Sequence, residues 1–177
     1  MKFKKYISLL LIISSIVLFQ IPGTANATTY GGRWYKDIKM YIESNNEGVI
    51  GSFGVATLSW NRALSEADSS IRINHVYSSS EANLIISDKD YLGSPVGVSN
   101  VSPGFSSASY TSGSVVMNLN KFNQLSSSEQ TAAATHELGH ILGLDHSPSN
   151  VSSIMNALIG TISFPTSYDK SEIAKVY

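Results

Sequence analysis

Residues 135–147 read THELGHILGLDHS and hold three of the chain's four histidines. His136 and His140 stand four positions apart, so on an α-helix both rings leave the same face, one turn above the other. Two imidazole nitrogens placed in this way can reach one ion at the ~2.0–2.1 Å of a Zn–N bond. Glu137 cannot be an equivalent ligand, but its carboxylate can lie beside the metal and accept a proton from water. A third ligand at the same helical spacing would not surround the ion, so the chain must turn first. Gly143 suits that turn, since glycine tolerates the positive φ that commonly ends a helix. Beyond it, His146 can return to the ion from another side. Three neutral ligands with one open position describe a catalytic rather than a structural zinc site. A Lewis acid with a carboxylate beside it is equipped to hydrolyse an amide.

Other candidates are weaker. His75 continues the Ile71 and Ile73 face of an alternating segment and reads as a core or edge histidine rather than a ligand. Asp88 and Asp90 are two acids in a loop, a pattern usually solvated; calcium there is the lesser reading.

The histidines need elements to position them. Ser126 stands three residues before Glu129, the spacing of a capping box, and Ala132, Ala133 and Ala134 carry the helix it opens into the motif. Ile38, Met40 and Ile42 alternate with polar residues and predict a strand. Phe53, Ala56, Trp60, Ala63, Leu64 and Ala67 recur at intervals of three and four, one apolar stripe on a helix of about four turns. Ile71 to Tyr77, Ala82 to Ile86, Val96 to Ser102 and Val115 to Leu119 read as four further strands. Pro103-Gly104 should end the third of these, because proline cannot donate to a ladder. A short helix from about Ser167 to Tyr177 closes the chain. The order implies an α/β (α+β) domain, one mixed sheet backed by two helices.

The first residues differ from the rest. Lys2, Lys4 and Lys5 precede an apolar run from Ile7 to Phe19, and Ala25-Asn26-Ala27 supplies small residues two apart. This is the pattern of a secretory signal peptide over residues 1–27, followed by a short segment 28–35 and one domain over 36–177. The apolar run is short for a bilayer core of about 30 Å, so no stable membrane anchor is expected. Losing the leader removes three lysines and no acid, taking 177 residues to 150 and the net charge from −1 to −4. Such a balance points to no nucleic-acid partner. The absence of cysteine in an exported chain points to a bacterial, extracellular protein that relies on its core, and on metal, rather than on disulfides.

His136 to His146 resembles the extended zinc signature of the metzincin metallopeptidases, and Ser147 directly after it is similar to the matrixin (matrix metalloproteinase-like) branch. Ser153-Ile154-Met155 lies at a suitable distance for that clan's methionine turn, with Met155 as an apolar floor rather than a ligand. Ala157, two further on, replaces the tyrosine ligand of astacin- and serralysin-like enzymes. Asp169, Ile173 and Tyr177 resemble the last matrixin helix. The resemblance implies a zincin-like catalytic domain: a five-stranded, mostly parallel sheet with an antiparallel edge strand, two long helices and a short C-terminal one. It also implies one catalytic Zn2+, with His136, His140 and His146 as ligands and Glu137 as base. A protein or peptide substrate would pair with the Val96–Ser102 edge, residues 156–165 would wall the pocket for the side chain after the cut bond, and the enzyme would act as a monomer. Two family features have no means here: a second, structural zinc, with only His75 left over, and a cysteine latency switch. Two other readings stay open, a secreted zinc-binding or adhesive module with little activity, and a hydrolase of cell-wall peptide amides.

Overall fold

The computed structural model describes residues 29–93, 95–158 and 160–177; the predicted leader lies outside them. Strand β1 (Arg33–Trp34) leads to β2 (Ile38–Glu43), and helix α1 (Glu47–Glu66) follows. Next come β3 (Ile73–His75), β4 (Leu84–Lys89), β5 (Gly97–Ser102), β6 (Ser109–Tyr110) and β7 (Ser112–Asn118). A single helical turn α2 (Leu119–Phe122), helix α3 (Ser127–Ile141) and helix α4 (Ser167–Val176) complete the order.

Five strands form one sheet in the order β3-β2-β4-β7-β5, parallel throughout except for β5, which runs antiparallel to β7 at one edge. This is the expected mixed sheet with its antiparallel edge. Ile38, Met40, Leu84, Ile86, Val115 and Met117 are buried and join the stripes of α1 and α3 in one core. Lys39 on the alternate face of β2 is exposed, and Ile85 of β4 is half-buried there. His75 sits on β3, the opposite edge strand, exposed and edge-on to Tyr77 at 5.0 Å.

Three elements differ from the sequence reading. Helix α1 spans 20 residues, about five and a half turns rather than four. Asn46 caps it, accepting from Val49 N at 3.1 Å, whereas Gly48, Gly51 and Gly54 hide this first part from a propensity reading. Strand β7 stops at Asn118, and Leu119 opens a helical turn where the alternation predicted more strand. Asn118 is fully buried, and its amide reaches Gly93 O at 3.4 Å and Pro95 O at 3.3 Å, drawing the chain out of the ladder. Lastly, the segment ahead of β2 packs onto the domain. β1 pairs with β6, and Trp34 is buried with its Nε1 donating to Ile141 O at 2.8 Å, at the end of α3.

Candidate metal centre

Helix α3 starts where its capping box lies: Ser126 N donates to Glu129 Oε2 at 2.8 Å, and Glu129 N donates to Ser126 Oγ at 3.4 Å. It ends on Gly143 at φ 96°, with Leu144 N donating to Gly139 O at 3.0 Å and Gly143 N to His140 O at 2.9 Å. This paired closure satisfies the last carbonyls and turns the chain back. A side chain at 143 would also strike Gly32 O, at 2.5 Å from its Cβ.

The turn brings the three histidines together. Ring centroids are 4.7 Å apart for His136 and His140, 5.2 Å for His136 and His146, and 4.9 Å for His140 and His146. One ring nitrogen from each lies within 4.8 Å of the others, the single such histidine or acidic grouping among the described residues. Asp88 accepts from Ser44 Oγ instead, and neither it nor Asp90 joins a third acidic or histidine side chain.

The donor set suits zinc. His136 Nδ1 lies 2.8 Å from Ile154 O, and His140 Nδ1 lies 2.8 Å from Leu144 O. A carbonyl can only accept, so both Nδ1 atoms carry the proton and both Nε2 atoms present a lone pair to the centre. Burial pushes His136 below the usual imidazole range and His140 down to about 4, so both stay neutral and ready to ligate. At about pH 5 and above, protons therefore compete little for His140. The metal-free chain bears the opposite side of this shift. As pH falls from 6.5 towards 4, the unfolded chain takes up the proton that folded His140 refuses, so His140's own contribution to stability is lost.

Glu137, 7% exposed, projects into the same cleft of about 540 Å³, and burial raises its carboxyl to about 7 despite a hydrogen bond from Ser99. Met155 is buried against Gly139, the residue before His140. A Cβ at 139 would stand 2.3 Å from Met155 Sδ and 3.0 Å from Trp60 Cζ2, so Met155 packs this close because residue 139 is glycine. Gly139→Ala is expected to destabilise the fold by about 1–3 kcal/mol, the range of core overpacking. Urea unfolding checks this, and an unchanged midpoint would mean that the methionine swings aside freely.

Two ties hold the turn that carries Met155. Ser147 N donates to Met155 O at 2.9 Å, and Ser147 Oγ donates to Asn156 Oδ1 at 2.7 Å. From α4, buried Asp169 accepts from Ile154 N at 3.0 Å and from Ser153 Oγ.

The family model of the matrixins matches residues 55–177. The chain belongs to the matrixin family. No curated protein matches it in a sequence search. As a matrixin it is a zinc-dependent metallopeptidase, and the histidine group is one that could hold that zinc. The family match opens inside α1, although β2 ahead of it is an inner strand of this matrixin's sheet.

Sequence reasoning missed two parts of the cleft. Tyr30 N donates to Gly143 O at 2.9 Å, and its ring stacks 4.3 Å from Phe105 and 6.0 Å from His140. Gly97 and Ser99 of β5 face Glu137. No local pattern marks either, because both contacts join distant parts of the chain.

Proposed function

We propose that this matrixin is a secreted endopeptidase that hydrolyses peptide bonds of proteins or peptides, with His136, His140 and His146 as zinc ligands and Glu137 as general base. The observation that carries the reading is the opening of the buried Glu137 carboxylate and all three histidines onto one cleft, under an edge strand. A zinc ion held there would supply Lewis acidity towards a carbonyl oxygen and towards water. Glu137 takes a proton from the attacking water, the water oxygen bonds to the carbonyl carbon, and Glu137 returns the proton to the amine as the C–N bond breaks.

Among the described residues the outer side of β5 has no sheet partner, so an extended peptide can add there through its backbone. Beside His136, a recess of about 160 Å³ bounded by Ala132, Ile154, Leu158 and Ile162 suits an apolar side chain after the cut bond. Secretion rests on the predicted leader over residues 1–27. No helix among the described residues is long and apolar enough to cross a membrane.

The test is metal analysis joined to cleavage of a diverse peptide library by wild type and Glu137→Ala. One zinc per chain is expected in both, with cleavage in the wild type alone. A zinc-loaded wild type that cuts nothing would favour the adhesive module, and cleavage confined to cell-wall peptides would name the other substrate.

A further inference from the structure

Strand β5 does more than border the cleft. Gly97 and Ser99 are alternate residues and share one face, while Val98 between them points away and is 41% exposed. The shared face lies over α3 at Glu137. Ser99 Oγ stands 3.1 Å from Glu137 O and makes a closer contact with Glu137 Oε2. At Gly97, a Cβ would fall 2.7 Å from Glu137 Oε1 and 2.8 Å from both Cδ and Cγ. The carboxylate therefore occupies the room that any side chain at 97 would need.

We propose that Gly97 and Ser99 form a seat that holds the Glu137 carboxylate in one orientation, making Ser99 a positioning residue for peptide hydrolysis. The proposal rests on the reading of Glu137 as base. A free glutamate side chain samples many rotamers, and holding it in one opposes that entropy. Here the fixing is done by the space at Gly97 and the hydrogen bond at Ser99.

A hydroxyl suits this place because it has one proton and two neighbouring acceptors. With Glu137 ionised, Ser99 donates to Oε2. With the proton on Glu137, Ser99 turns its own hydrogen to Glu137 O and accepts from the carboxyl. No heavy atom has to move between the two states. The seat also links recognition to chemistry, since β5 is the strand on which the substrate backbone would align.

The test uses the full zinc-loaded enzyme and the variants Ser99→Ala, Ser99→Thr, Gly97→Ala and Glu137→Gln, with zinc content and thermal midpoint as controls. Ser99→Ala is expected to lower kcat roughly tenfold with KM within about twofold, the lower end of what a hydrogen bond to a charged group contributes. Crystal structures of its metal-free form should show Glu137 in more than one rotamer. Ser99→Thr, which keeps the hydroxyl, should restore most of kcat and the single rotamer. Gly97→Ala should displace the carboxylate and lower kcat more than Ser99→Ala does. Wild-type kcat and a single Glu137 rotamer in Ser99→Ala would overturn the seat, as would a rise in KM alone, which would assign Ser99 to substrate pairing. In either case an inactive Glu137→Gln would leave the base reading standing. Full activity in Glu137→Gln would overturn both.

Discussion

Glu137→Gln is expected to lower kcat by about 10²–10⁴-fold, the usual contribution of a positioned general base, with one zinc still bound. The substitution keeps shape and size but removes the ability to take a proton. Ser99 Oγ can accept from the new amide as readily as it donates to the carboxylate, so the local packing survives. Stability should move the other way. The folded carboxyl is raised from 4.5 to about 7 by burial, so its contribution to the metal-free fold is present below pH 4.5 and lost as pH rises through 7. Glutamine has no such loss. The thermal midpoint of the metal-free variant relative to wild type should therefore climb across that window. Loss of activity together with a pH-dependent gain in stability separates a missing base from a damaged fold. Wild-type kcat in the variant would reject Glu137 as base, and a midpoint difference that is flat with pH would reject its buried, raised carboxyl.

How much of this was legible in the sequence depended on the range of the interaction. Ser126 and Glu129 announce the start of α3 because a capping box is complete within four residues. Gly143 announces its end for a similar reason, and the spacing of His136, His140 and His146 needs only helical geometry and one turn. The alternation in β2, β4 and β7 likewise records a neighbouring face. What stayed hidden was contact between distant segments. Nothing about Gly97 or Ser99 says that Glu137 lies beneath them, and nothing about Tyr30 says that Gly143 accepts from its amide. The three glycines early in α1 argue locally against helix, and burial of Val49 and Phe53 against the rest of the core overrides them. The raised carboxyl of Glu137 is hidden for the same reason, since burial is a property of everything packed around it.

Asp169→Ala is expected to destabilise the fold by about 3 kcal/mol, from the loss of buried hydrogen bonds to a charged group and of a helix cap. At 1% exposed, Asp169 accepts from Thr166 N at 2.7 Å and Thr166 Oγ1 at 2.8 Å, closing the capping box of α4. It also accepts from Ile154 N at 3.0 Å and from Ser153 Oγ, and Ser153 Oγ in turn accepts from Met155 N at 2.9 Å. One side chain thus ties the last helix to the turn that carries Ile154 and Met155. Alanine would leave Ile154 N and Thr166 N without this acceptor and free the turn to shift. Ile154 O is the acceptor for His136 Nδ1, so the shift reaches the metal centre through that bond. Loss of such a supporting partner typically weakens metal binding by about 10–100-fold. Calorimetry of the metal-free protein should therefore show a midpoint lowered by several degrees, and chelator competition should show weaker zinc binding by a similar factor to that range. Asp169→Asn, which keeps one acceptor oxygen but brings an amide against donors, should fall between wild type and alanine. A variant that lost stability yet held zinc at wild-type affinity would confine Asp169 to capping α4. The position of Ile154 O against His136 would then rest on the packing of Met155 and the ties from Ser147 alone.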